Sequence, residues 1–336
     1  MRVFFCRKCG QQLSFENSIC LSCDSRLGFH LPSRSMQVLD DDLSVIVDGT
    51  TWRRCANIKL AQCNWLVDAT DGDTLCLSCA LTRTRPADSD HEAIAEFASA
   101  ETAKRRVVLE LDELHLPIIG RDQNPEGGLA FDLLSSANRN VITGHANGLI
   151  TLDLAESDDV HREQLRVSMD EPYRTLVGHF RHEIGHFYQM VLIGSGDHRE
   201  RFEELFGNPD DDYKAALDRH YSEGAPDGWK KNYVSSYATM HPAEDWAETF
   251  AHYLHIRDTL DTAAAYAFAP AGSTFEAPLA GDVGFSRIID WWLPLTWALN
   301  QLNRSMGHQD LYPFVLPAKV LEKMRFVHSV IVPDEV

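Results

Sequence analysis

The stretch His179-Phe180-Arg181-His182-Glu183-Ile184-Gly185-His186-Phe187 decides how this chain is read. His182 and His186 are four residues apart, so on a helix both imidazoles project from one face. Two neutral ring nitrogens at that spacing can bind one divalent cation, and the Glu183 carboxylate between them can take a proton from a bound water. Phe180, Ile184, Phe187, Tyr188 and Val191 make the rest of the helix apolar, so it is expected to be buried. Gly185 sacrifices ~1 kcal/mol of helix propensity inside the motif and lets another element approach closely. The plainer reading is two histidines on an ordinary helix. The apolar flanks, Gly185 and a ligand further down the chain count against it.

A catalytic zinc usually has three protein ligands and one open position. The downstream segment from Tyr237 to His252 supplies candidates. Pro242 suits a helix start, which puts Glu244 and Glu248 one turn apart on a helix that also carries Trp246, Phe250, Tyr253 and Leu254. Carboxylates directed into apolar surroundings need a partner, and a metal with its histidines provides one. Glu244 is favoured as the ligand. Glu248 is favoured as the acceptor of a hydrogen bond from a ligand imidazole. Glu244 and Asp245 would also suit the first turn simply as charges on the helix dipole. His241, Asp245 and His252 remain alternative ligands, and His179 is read as structural.

All eight cysteines lie between Cys6 and Cys79. Cys6-x2-Cys9 and Cys20-x2-Cys23 form a pair of knuckles that can close a tetrahedral four-sulfur zinc site. Arg7, Lys8 and Gly10 suit a tight turn there. Cys55, Cys63, Cys76 and Cys79 can form a second structural site, although only Cys76-x2-Cys79 has knuckle spacing. Buried thiols or a redox pair are the alternatives, but no thioredoxin-like pattern surrounds either knuckle.

This asymmetry divides the chain into a cysteine-rich zinc-ribbon domain at 1–85 and a larger domain at 86–336, with residues 82–90 read as a linker. Long helical patterns are expected at 91–114, 198–206, 211–222, 242–267, 284–306 and 317–328, and one opened by Pro172 through Ile193. Residues 128–134 and 140–154 look extended, with alternation at 148–154. The expected class is α+β, a mainly helical domain with a small sheet. The net charge of −19 falls almost entirely beyond residue 86, which disfavours nucleic acid and suits a neutral or basic polypeptide partner. The absence of a leader or a spanning apolar run points to the cytoplasm and away from membranes.

The pair His-Glu-Ile-Gly-His and Tyr-x6-Glu-x3-Glu resembles the anthrax lethal-factor type of gluzincin. The resemblance implies a zincin-like fold in which Tyr237 lies near the metal and can stabilise an oxyanion, Glu244 is the third zinc ligand and Glu248 its supporting acid. Residues 3–30, 63–67, the His182 motif and 243–251 are similar to the bacterial zinc-binding metallopeptidases that carry an N-terminal zinc ribbon. Many zinc peptidases bind extended substrate on an edge strand before the metal helix, and by analogy 148–154 takes that place.

The expected function is hydrolysis of peptide bonds, with one catalytic and one or two structural Zn2+ ions, Glu183 and Tyr237 as catalytic groups, and a peptide or protein substrate. A protein partner docking through the ribbon is also expected. The alternative is a non-catalytic docking protein on a peptidase-like scaffold.

Overall fold

The computed structural model describes residues 2–138, 141–157, 175–275 and 279–333, and it is a mixed α/β structure of helices and small sheets. It divides into two compact units, Met1–Asp112 with Pro117–Asp158, and Glu113–Leu116 with Asp159–Val336.

The first unit opens with the hairpins β1 (Phe4–Phe5) to β2 (Gln12–Leu13) and β3 (Leu27–His30) to β4 (Ser35–Val38), followed by the antiparallel sheet β5 (Ser44–Val47), β6 (Thr50–Arg54) and β7 (Leu66–Asp68). Each N-terminal knuckle ends on a left-handed residue, Gly10 at φ +74° and Asp24 at φ +56°. There the chain reverses, with Gly10 N–H donating to Cys6 O and Asp24 N–H to Cys20 O. Phe4, Phe15, Phe29 and Trp65 are buried together, Phe15 and Phe29 with ring centroids 4.9 Å apart and Phe29 and Trp65 5.3 Å apart.

The short helix α1 (Leu77–Ala80) follows, and then β8 (Thr82–Thr84), where a linker was expected. The β-branched Thr82 and Thr84 suit a strand, and β8 pairs parallel with β9 (Ala130–Leu134) while Arg83 forms an ion pair with Asp132. The four-stranded sheet runs β10 (Gly144–Ala146), β11 (Leu149–Asp153), β9, β8. The alternating strand is therefore an inner strand, bonded to β10 on one side and β9 on the other. Its backbone groups are already paired, and β10 occupies the edge expected of it. Helix α2 (His91–Glu113) buries Phe97, Val107, Val108 and Leu111.

The second unit is helical among its described residues: α3 (Leu176–Tyr188), α4 (Asp197–Phe206), α5 (Tyr213–Glu223), α6 (Pro242–Ala265), α7 (Gly281–Ser305) and α8 (Ala318–Ile331). Pro172, the expected opener of α3, lies outside the described residues. Thr175 caps α3, its hydroxyl accepting from Gly178 N–H at 3.0 Å. The helix widens into a π turn at Gln189–Ile193 and stops at Gly194. No helix among the described residues is long and apolar enough to cross a membrane.

Two contacts hold α6 in place. A Cβ built on Gly185 of α3 would lie 3.0 Å from Ala247 Cα and 3.2 Å from Ala247 O. The missing side chain thus lets two helix backbones cross closely. The fully buried Trp246 locks the crossing by donating from Nε1 to Gly185 O at 2.8 Å. At the N-terminal turn of α6, the buried Lys323 of α8 donates to Asp245 Oδ2 at 2.5 Å and to Asn232 O at 2.8 Å. Burial pushes the Asp245 carboxyl up to about 7 against the opposing pull of Lys323.

Gly185→Ala is expected to lower stability by about 1–3 kcal/mol through overpacking, although Ala is the better helix former. Urea denaturation checks this, and an unchanged midpoint would show that the crossing tolerates a methyl group. Lys323→Met leaves a buried carboxylate unpaired and should cost about 3–5 kcal/mol. Asp245 is an acid whose folded-state value lies above its unfolded one, so it is tolerated best when protonated. The Lys323→Met penalty should therefore be larger at pH 8 than at pH 5.5, and thermal melts at the two values test that sign.

Candidate active site and metal centres

Helix α3 presents His182 and His186 from one face, their ring centroids 5.0 Å apart. Across the Gly185–Ala247 crossing, α6 presents Glu244 and Glu248. Glu244 Oε2 lies 3.0 Å from His182 Nε2, and its Oε1 lies 3.3 Å from His186 Nε2. Glu248 Oε1 is 2.7 Å from His182 Nδ1, and its Oε2 accepts from Ser235 Oγ at 2.6 Å. The ligand atoms of His182, His186 and Glu244 all lie within 4.8 Å of one another.

This arrangement requires a positive charge. With the Nδ1 proton given to Glu248, His182 Nε2 and Glu244 Oε2 are two acceptors facing each other. A cation reconciles them. In its absence a proton must serve: burial pushes His182 down, but Glu244 and Glu248 outweigh it and raise the imidazole well above its ordinary value. Conversely, burial pushes Glu244 up, while His186 and then His182 hold it well below the carboxylate range. Glu183 is buried beside these groups, and its Oε2 has no hydrogen-bond partner among the described residues. Three imidazole and carboxylate donors around one point, with an unpartnered carboxylate oxygen beside them, fit a zinc ion with a water.

Tyr237 sits in a single 3-10 turn, Tyr237–Thr239, with its ring 5.9 Å from that of His182. Burial first, then Glu244, raises its phenol far above the ordinary value. The alternative ligands are engaged elsewhere. His241 caps α6, its Nδ1 accepting from Ala243 N–H at 3.1 Å. Asp245 holds Lys323, and His252 Nδ1 bonds the Tyr312 hydroxyl at 2.8 Å. Burial lowers His252 to about 4. His179 stands outside the cluster.

Three residues near the site had no signal in the sequence. Tyr213 donates its hydroxyl to Glu244 Oε1 at 3.1 Å, Ser235 holds Glu248, and Lys323 holds the first turn of α6. Single polar residues without periodicity or motif spacing become visible only when the chain is folded.

Both cysteine quartets come together as unpaired thiols. Cys6 and Cys23 Sγ are 3.7 Å apart and Cys9 and Cys20 Sγ 3.6 Å; in the second quartet Cys63 and Cys76 Sγ are 3.6 Å apart. A tetrahedron with Zn–S bonds of ~2.3 Å has edges of about 3.8 Å, so both quartets have zinc dimensions. All of Cys55, Cys63, Cys76 and Cys79 are buried. Bonds from Cys63, Cys76 and Cys79 drive Cys55 well below the thiol range, and Cys55 in turn pushes Cys63 well above it. Sulfurs this close cannot all ionise without a cation among them.

Comparison with known proteins agrees with this donor chemistry. Residues 3–90 match a zinc-ribbon domain, and residues 93–330 match the family described as "Putative zinc-binding metallo-peptidase". Uncharacterized proteins of Mycobacterium tuberculosis and Mycobacterium bovis are each 64% identical over 337 residues, covering 100% of this chain and 96% of theirs. No solved structure matches the chain. On the matched residues, more than half of its length, the chain belongs to the zinc-binding metallopeptidase family, with a zinc-ribbon domain at its N-terminus.

Proposed function

We propose that the protein is a gluzincin-type peptidase in which His182, His186 and Glu244 hold one zinc and Glu183 is the general base. The observation that carries this reading is the convergence of both imidazoles and the Glu244 carboxylate on one point, beside an unpartnered Glu183 oxygen. Zinc bound there would polarise the scissile carbonyl and lower the pKa of a water from ~15.7 towards ~7.

The remaining work falls to the chain. Glu183 takes a proton from the attacking water and returns it to the leaving nitrogen. Glu248, itself held by Ser235, fixes the His182 tautomer so that Nε2 keeps its lone pair. Tyr237 supplies a phenolic donor near the carbonyl oxygen as negative charge develops there. The two cysteine quartets have no open position, so their metals serve folding or the docking of a protein partner. A peptide or protein is the substrate. A reducing cytoplasm suits eight unpaired thiols, and the acidic chain is unsuited to nucleic acid.

The zinc-loaded protein should cleave members of a fluorescence-quenched peptide library. Glu183→Gln should retain its zinc and lose about 10²–10⁴-fold in kcat. Turnover unchanged in that variant would reject Glu183 as the base, and a zinc-loaded wild type that cleaves no member of the library would favour a docking protein. Dipicolinate should strip the three-ligand site before either closed quartet and abolish cleavage, and added zinc should restore it. Metal analysis alongside the assay checks the order, and activity that survives loss of the weakly held zinc would contradict the assignment.

A further inference from the structure

The site holds a second phenol. Helix α5 begins at Tyr213, and Asp212 caps it by accepting from Ala215 N–H at 3.0 Å. The segment before it is anchored by the cap of the ligand helix. His241 Nε2 donates to Asp211 O at 3.1 Å, and its ring lies 5.2 Å from that of Tyr213. One neutral tautomer of His241 serves both ends, with Nδ1 accepting from Ala243 and Nε2 donating to Asp211. Tyr213 is thereby positioned by the helix that carries Glu244.

Its hydroxyl donates to Glu244 Oε1, the oxygen that also faces His186 Nε2. The two phenols differ in access. Tyr213 is 43% exposed, while Tyr237 is half-buried beside His182.

We propose that Tyr213 is a catalytic residue: its hydroxyl exchanges Glu244 Oε1 for the carbonyl oxygen of a bound peptide, as a second phenolic donor beside Tyr237. The proposal rests on the peptidase reading above. It adds a second, more exposed phenol to the one already assigned to the carbonyl oxygen. Nothing covalent changes; one hydrogen bond is exchanged for another, and it becomes stronger as the carbonyl oxygen acquires charge.

The test uses the full zinc-loaded chain, wild type and Tyr213→Phe, with two inhibitors built on the best-cleaved library sequence. One is a phosphinic peptide, which presents a tetrahedral anionic centre. The other is a hydroxamate, which binds through metal chelation. Calorimetry reads binding and metal analysis reads zinc. Tyr213→Phe should keep its zinc, bind the hydroxamate within about two-fold of wild type, bind the phosphinic peptide about 10–100-fold more weakly, and lose about 10²-fold in kcat with KM nearly unchanged. Loss of zinc, or equal weakening of both inhibitors, would reduce Tyr213 to a residue that only orients Glu244. Unchanged phosphinic-peptide binding would overturn the proposal outright. A wild-type protein that neither cleaves the library nor binds the phosphinic peptide defeats the peptidase reading itself, an outcome distinct from failure of the variant alone.

Discussion

The geometry of the second unit depends on the distance between two helix axes. Glu244 reaches both imidazoles because α6 crosses α3 at Gly185, where the absent side chain leaves Ala247 backbone at contact distance. A carboxylate side chain is short, so a crossing even one methyl group wider would withdraw Glu244 from at least one ring. Trp246, adjacent to Ala247, then fills the space beside the crossing and bonds to Gly185 O. The glycine that weakens the helix as a local element is what allows the tertiary site to form. Local propensity and site geometry conflict here, and the burial of Trp246, Phe250 and Tyr188 around the crossing offsets the local loss.

The crossing also sets the electrostatics. Glu244, Glu248, His182 and His186 would be an unfavourable group to bury unless a net positive charge joined them. The elevated His182 and depressed Glu244 express that demand as a proton taken up by the site. A divalent cation meets the same demand and leaves the imidazoles neutral, so metal binding and proton release are linked. Glu183 stays apart from this pairing, with an oxygen still unpartnered.

Much of this was legible in the sequence, for reasons that can be traced. The i, i+4 histidines and the paired glutamates mark faces of helices, and helix faces follow from 3.6-residue periodicity alone. Pro242 marked the start of α6 correctly, and the elements from 198 onward fall within a few residues of their expected places. The knuckles were legible because four thiolates at fixed spacing have few other uses. The sheet was not. Residues 148–154 alternate as a half-buried strand should, but alternation does not say whether a strand lies at an edge or inside, and β10 pairs outside it. Residues 82–84 read as a polar linker because Thr-Arg-Thr has no apolar face; their partner lies some fifty residues on, in β9. Tyr213 and Lys323 were invisible for the same reason: each acts through a contact that no local pattern encodes.

The pairing of β8 with β9 has a larger consequence. The family boundary falls between residues 90 and 93, yet the first compact unit runs on past it. Two features join the segments. β8 is an edge strand of the sheet whose other strands lie beyond the boundary. Behind it, Glu101 of α2 accepts from Thr82 of β8 at 2.5 Å and from Lys104 at 2.6 Å, and lies 3.8 Å from Cys79 Sγ. Arg105 stands 3.8 Å from the same carboxylate. Glu101, Lys104 and Arg105 are all buried, and an isolated buried charge is costly. A zinc with four thiolates carries a net charge of about −2. Lys104, Arg105 and the Glu101 carboxylate together would offset about half of that charge and tie the site to α2 and β8 at once. With zinc bound, the second quartet would be a charge in the core that α2 and β8 are arranged around, and α2 together with β9, β10 and β11 belongs to the segment that matches the peptidase family.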